Sequence, residues 1–188
     1  MIDHKLKFIY IHIDKTGGTS IASSLWPDLR IAEGGTYHDA IGKHWSIKRY
    51  NDNAGRRAKY EKYFKFAFVR NPWDRAVSKY FFDRKINEDK SLEKSFKSWL
   101  KGRKGLRPQL NYLTINDEVV VDFIGRFENL QRDMNKICDK LNIQRKTLPH
   151  ANPSKHEHYT KYYDAETREI ISERYAKDIE YFGYKFGD

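Results

Sequence analysis

Residues 15–20, Lys-Thr-Gly-Gly-Thr-Ser, put one ammonium, two glycines and three hydroxyls into a single short turn. Upstream, Lys7-Phe-Ile-Tyr-Ile-His-Ile13 is a nearly continuous apolar and aromatic run; downstream, Ile21, Ala22 and Leu25 recur at helical spacing. A strand buried on both faces, a glycine-containing turn and a helix are therefore expected in that order. Such a junction aims backbone N–H groups and the positive end of a helix at one point, which makes it an anion site. Gly17 and Gly18 let the main chain approach a phosphate closely, Thr16, Thr19 and Ser20 offer hydroxyl donors, and Lys15 supplies a mobile positive charge. An isolated Gly-Gly-Thr-Ser is also an ordinary left-handed turn with Thr19 or Ser20 as N-cap. The lysine just ahead of it favours the anion site. The turn is not a Walker A loop, since the lysine precedes both glycines, and not a dinucleotide fingerprint, since G-x-G-x-x-G is absent.

A second strand-to-helix junction follows. Phe64-Lys-Phe-Ala-Phe-Val69 reads as a strand, Asn71-Pro72 as N-cap and first helical residue, and Trp73, Ala76, Val77, Tyr80 and Phe81 as one helix face. Arg70 falls at the carboxyl end of that strand and Ser78 about two turns into the helix. Taken singly, Arg70 could pair with a structural carboxylate and Ser78 could face solvent. Together at this spacing, after a strand and an Asn-Pro helix start, they outweigh those two readings, and the forked donors of arginine suit an anion.

The chain that must position these residues has 188 of them, enough for one domain with its own core. Lys and Arg outnumber Asp and Glu by 36 to 26, and the resulting charge of +10 favours an anionic partner: nucleic acid, acidic glycan or nucleotide. Cys138 is the only cysteine, which excludes an intramolecular disulfide, fits core filling and suggests a reducing compartment. The run from Phe8 to Ile13 is broken by His12 and lacks a cleavage site, and no stretch has the roughly 18 apolar residues of a membrane span, so a soluble, cytoplasmic protein is expected. Further along, residues 29–63 read as a loop with one or two helices, 91–100 as a helix, 119–127 as a third strand and 130–141 as a helix. Asp164 then caps one final helix bearing Ile170, Ile171, Tyr175 and Ile179. Alternating strands and helices imply an α/β fold.

"IHIDKTGGTSI" together with "KFAFVRNPWDRAVSKYF" resembles the 5′-phosphosulfate and 3′-phosphate motifs of sulfotransferases that use 3′-phosphoadenosine 5′-phosphosulfate (PAPS). The resemblance is closest to the carbohydrate-type branch, which includes heparan sulfate 2-O- and 6-O-sulfotransferases. It extends through "GKHWSIK", "RPQLNYL", "IGRFENL", "LPHANPS" and "DIEYFGYKF". It implies a P-loop-like three-layer fold with a central, mainly parallel sheet flanked by helices. It implies that Lys15 stabilises the leaving phosphate, that residues 16–20 hold the 5′-phosphate and sulfonate, and that Arg70 and Ser78 hold the 3′-phosphate, without metal. His44 takes the place of the family's general base, with His38 the competing choice. Lys155, alongside Asn152 and Ser154, falls in a loop expected over the cofactor, and Gln109 in the stretch that faces the acceptor, a hydroxyl-bearing molecule and most simply a glycan. Asp14 departs from the family's usual proline.

His150, His156 and His158 invite a zinc reading, but no cysteine or carboxylate completes a ligand spacing, and no metal is expected. Two other functions compete. A magnesium-dependent phosphotransferase would need an acidic metal ligand, for which Asp122 is the nearest candidate. A polyanion binder would use Arg56-Arg57 and the Lys101–Lys104 cluster.

Overall fold

Phe8–Ile11 (β2), Phe64–Val69 (β3) and Phe123–Arg126 (β6) are dominated by aromatic and branched side chains that suit a pleated, buried surface, and all three enter one sheet. The computed structural model describes residues 1–26, 46–86, 95–102, 106–149 and 156–188. With Ile2–Asp3 as β1, the strand order is β1-β2-β3-β6; β1 runs antiparallel and the other three are parallel. The expected α/β fold with a mainly parallel sheet is thus present, and the second strand spans the expected residues, 64–69.

Register explains why β2 and β3 have so few polar positions. Phe8 aligns with Phe64 and Tyr10 with Phe66, so these rings share one face; Ile9, Ile11, Ala67 and Val69 point the other way, and all but the half-buried Phe64 are buried. Helix α1 (Gly18–Leu25) contributes Ile21 to the aromatic face, and a later helix, Leu130–Leu141, contributes Met134, Ile137 and Cys138. Cys138 is core filling, and burial raises its thiol pKa.

By its contacts the chain divides into two compact units. Residues 1–69 and 109–152 form the sheet unit; 70–108 and 153–188 form a helical unit. Besides β1, β2, β3, β6 and α1, the sheet unit holds a 3₁₀ turn at Ile47–Tyr50, α2 (Ala54–Tyr60), α5 (Leu110–Leu113) and α6 (Leu130–Leu141). The third expected strand, 119–127, is corrected. A hairpin of β4 (Thr114–Ile115) and β5 (Glu118–Val119) turns through Asn116 and Asp117, both left-handed at φ 50° and 63°, the backbone of a two-residue hairpin loop. β6 starts afresh at Phe123, after Asp122 has bridged to β3. The Asp122 carboxylate accepts from the Lys65 N–H at 2.6 Å, and the Asp122 N–H donates to the Lys65 carbonyl at 2.7 Å.

The helical unit is built from α3 (Pro72–Ile86), α4 (Phe96–Gly102), α7 (Ala165–Arg174) and α8 (Ala176–Phe182). Asp164 caps α7 in a reciprocal box with Thr167, as the sequence suggests. The single final helix is corrected to two. The chain breaks at Tyr175, whose hydroxyl accepts from the Leu106 N–H at 2.8 Å and donates to the Leu106 carbonyl at 2.9 Å. No described helix is long and apolar enough to cross a membrane.

Candidate functional site

Because β2, β3 and β6 are parallel, their carboxyl ends share one edge of the sheet, the edge where α/β proteins bind ligands. The segment from His12 to Gly17 lies beyond the carboxyl end of β2, and α1 opens from it. Lys15 adopts φ 66° and Gly17 φ 83°, with Thr16 between them outside that region. A non-glycine residue held left-handed costs on the order of 1 kcal/mol and persists only where its surroundings fix it. Alternation of this kind curls the main chain so that successive N–H groups converge, the geometry of an anion-binding nest.

Gly17 is the N-cap of α1, and no side chain caps the helix. Thr19 and Ser20 therefore fall inside the helix rather than serving as its cap, and its first turn carries no acidic residue. The first amides and the positive helix end are arranged for an anion. Thr16 contributes differently from expectation: the residue is fully buried and its Oγ1 donates to the Ile13 carbonyl at 2.9 Å, a bond that braces the turn from within.

The glycines also act in a way the sequence did not disclose. A β-carbon on Gly17 would lie 2.9 Å from Leu130 Cδ2, and one on Gly18 would lie 1.8 Å from His12 Nε2. The volume their missing side chains release is occupied by the protein itself, from α6 and from the end of β2. Beneath His12, Tyr10 is fully enclosed; burial pushes its phenol well above the ordinary range, with the Thr16 hydroxyl pulling weakly the other way.

The second cluster belongs to the helical unit. Arg70 follows the last residue of β3 and is 6% exposed, with Nε donating to Asp74 Oδ2 at 2.7 Å. The sequence-level possibility of a structural carboxylate partner is therefore realised, within the first turn of α3. Asn71 is fully buried: its Oδ1 accepts from the Trp73 N–H at 3.1 Å, and its Nδ2 donates to the Lys185 carbonyl at 2.9 Å and to the Tyr159 hydroxyl at 3.3 Å. These bonds fix the start of α3 at Pro72 and hence the position of Arg70. Burial raises the Tyr159 pKa, against the hydrogen bond it accepts from the Gly187 N–H. Ser78 is buried on α3 rather than facing solvent. Arg75, not singled out in the sequence, is 1% exposed and donates to the Arg107 carbonyl at 3.0 Å. Only its place one turn after Asn71 hinted at that burial.

His44, His38, His150, Asn152, Ser154 and Lys155 lie outside the described residues. Gln109, expected to face an acceptor, is fully buried. His156 bonds the Glu157 carbonyl and stacks on Phe81 at 5.0 Å, and His158 bonds Thr160 Oγ1; among the described residues no group of three or more His, Cys, Asp or Glu could hold a metal. Asp122 bridges the amino ends of β3 and β6, the opposite edge from Lys15, which removes it as a magnesium ligand for this loop.

A mouse sulfotransferase, SULT7A1, solved in complex with PAP, aligns over 95% of this chain and 68% of its own at 16% identity, with a TM-score of 0.45. A protein of Archaeoglobus fulgidus described as uncharacterized is 31% identical over 107 residues, 54% of this chain and 87% of that relative. The family model described as Sulfotransferase family matches residues 1–185. The chain therefore belongs to the sulfotransferase family, the PAPS-dependent enzymes whose paired phosphate motifs its sequence carries.

Proposed function

We propose that this enzyme transfers a sulfuryl group from PAPS to a carbohydrate hydroxyl, with residues 15–20 holding the 5′ side of the donor and Arg70 and Ser78 its 3′-phosphate. The observation that carries the reading is the α1 start: an uncapped helix N-terminus at the carboxyl edge of a parallel sheet, entered through a left-handed lysine. The residues suit the donor's chemistry: the first turn of α1 carries no acidic residue, and the loop's one carboxylate, Asp14, is followed directly by the Lys15 ammonium.

When bound, the donor supplies an activated sulfuryl group on its 5′-phosphate. The Lys15 ammonium opposes the negative charge that grows on the phosphate oxygen as its bond to sulfur breaks, a stabilisation larger in the transition state than before it. The backbone amides of residues 16–20 hold the phosphate in line. Arg70, fixed by Asp74 and by the Asn71 bonds, anchors the far end of the nucleotide. His44 takes the proton from the attacking hydroxyl. The lone Cys138 suits a reducing compartment, and we place the enzyme in the cytoplasm on that ground.

The test is calorimetric titration with PAP in EDTA, beside ATP with magnesium, and with Arg70→Ala as control. Tight, metal-independent binding of PAP that weakens in the variant is the expected result. Binding of ATP alone, and only with magnesium, would replace the reading with a phosphotransferase.

A further inference from the structure

His12 was not among the residues the motifs single out, yet its ring occupies the space over the first residue of α1. Its Nε2, Cδ2 and Cε1 atoms come within 1.8, 2.3 and 2.7 Å of where a β-carbon on Gly18 would stand. The ring is not a loose surface group. It stacks on Tyr10 at 5.7 Å with 25° between the planes; Tyr10 stacks on Phe66 at 5.1 Å and 16°, and Phe66 on Phe64 at 5.7 Å and 28°. Strand alternation puts Tyr10 and His12 in one line, and the register of β2 with β3 puts Phe64 and Phe66 beside it. The imidazole is thus the outermost plate of an aromatic column rooted in the sheet, and Gly18, itself buried, rests on it. Gly17 is held from another side by Leu130 and Phe127.

We propose that His12 is a positioning residue for the donor site. It sets the height of the first turn of α1, so that the amides of residues 18–20 stand ready for the 5′-phosphate. Packed interiors tolerate shifts of only a few tenths of an ångström before contacts are lost, so a flat plate wedged under a glycine fixes the main chain firmly. Donors held ready in this way need no reorganisation when the anion arrives.

The inference rests on the reading of residues 15–20 as the donor's phosphate cradle, and a volume-swap cycle tests it separately. Wild type, Gly18→Ala, His12→Ala and the double variant are compared by PAP titration, donor kinetics and thermal melts. Gly18→Ala pushes the helix start off the ring and weakens PAP by about 10- to 100-fold. His12→Ala removes the plate and raises the donor KM about tenfold, with a smaller change in kcat, because no group touching the reacting atoms is lost. In the double variant the added methyl enters the vacated space, and PAP affinity returns to within about threefold of His12→Ala. His12→Phe keeps the plate and retains most of the affinity. Additive losses in the double variant, or wild-type affinity in His12→Ala, overturn the inference; so does a His12→Phe variant as weak as His12→Ala, which would make the imidazole nitrogens direct ligands. Should Gly18→Ala fail to fold, the His12→Ala and His12→Phe pair decides alone. A wild-type protein that does not bind PAP defeats the donor-site reading, and the inference with it.

Discussion

Gly17, Gly18 and Gly125 in the sheet unit are crowded where a β-carbon would stand, although Gly55 in the same unit is not, whereas Gly102, Gly183 and Gly187 in the helical unit meet nothing within 4 Å among the described residues. Buried polar side chains show the opposite distribution. The helical unit encloses Arg70, Asn71, Arg75, Ser78, Asp83, Thr167 and Asp178; the sheet unit encloses Thr16, Ser20, Gln109 and Asp133 among the described residues. The two proposed phosphate clusters, one in each unit, are therefore held by different physics. The cluster at residues 15–20 is shaped by volume, through side chains that fill space glycine leaves open. The cluster at Arg70 is shaped by hydrogen bonds that hold a charged group nearly out of water. The first should be sensitive to one added methyl and the second to one removed partner.

The largest effect expected separates chemistry from both kinds of support. Lys15→Ala should lower kcat by about 10²- to 10³-fold, the usual cost of removing one group aimed at developing charge, with the thermal melt unchanged. Initial rates at saturating donor measure it, and a kcat within about threefold of wild type would remove Lys15 from the transition state. Next comes the polar half. Arg70→Ala should weaken PAP and also cost about 2 kcal/mol of stability, because Asp74, whose side chain is 17% exposed, loses its partner at 2.7 Å. Arg70→Ala/Asp74→Ala should recover the melting temperature but not the PAP affinity. Recovery of both would mean that Arg70 serves the fold alone.

The volume half has a counterpart away from the ligand. A β-carbon on Gly125 in β6 would lie 2.5 Å from Phe68 Cε1, across the register that pairs these two residues. Gly125→Ala should cost about 1 to 3 kcal/mol in urea unfolding, since Phe68 is fully buried among rings that cannot shift freely. An effect below about 0.5 kcal/mol would show that the aromatic face adjusts more readily than its packing suggests, and would weaken the argument for His12 as well.

Much of this was legible in the sequence wherever the signal is local. The apolar run at 64–69, the helix at 130–141 and the Asp164 cap depend on neighbours a few residues away, and each stands where the pattern puts it. What was not legible depends on distant partners. Nothing near Gly17 announces Leu130, and nothing near Tyr175 announces that its hydroxyl will bridge Leu106 and interrupt a helix. The hairpin at 114–119 did carry a cue, Asn116-Asp117, but its two-residue strands are too short for alternation to register. For the candidate site the pattern put Lys15 in the turn between the first strand and its helix and Arg70 at the end of the second strand, and the chain has them between β2 and α1 and directly after β3. It named the ligand the glycines would face and was silent on the side chains that crowd them, Leu130 and His12.

The smallest prediction is the control that gives the others their meaning. Gly102 is the last residue of α4, its φ is not left-handed, and a β-carbon there would meet nothing within 4 Å among the described residues. Glycine at such a position only enlarges the freedom of the unfolded chain, so alanine should stabilise the protein by about 0.5 kcal/mol without touching PAP affinity or kcat. The same substitution chemistry then has opposite signs at these positions, costly at Gly18 and Gly125 and mildly favourable at Gly102. If Gly102→Ala destabilised the protein as much as Gly125→Ala does, glycine replacement would be harmful throughout, and the losses at Gly18 could no longer be read as a clash with His12. A gain at Gly102 beside losses at the other two ties the shape of the phosphate loop to the particular side chains that crowd it.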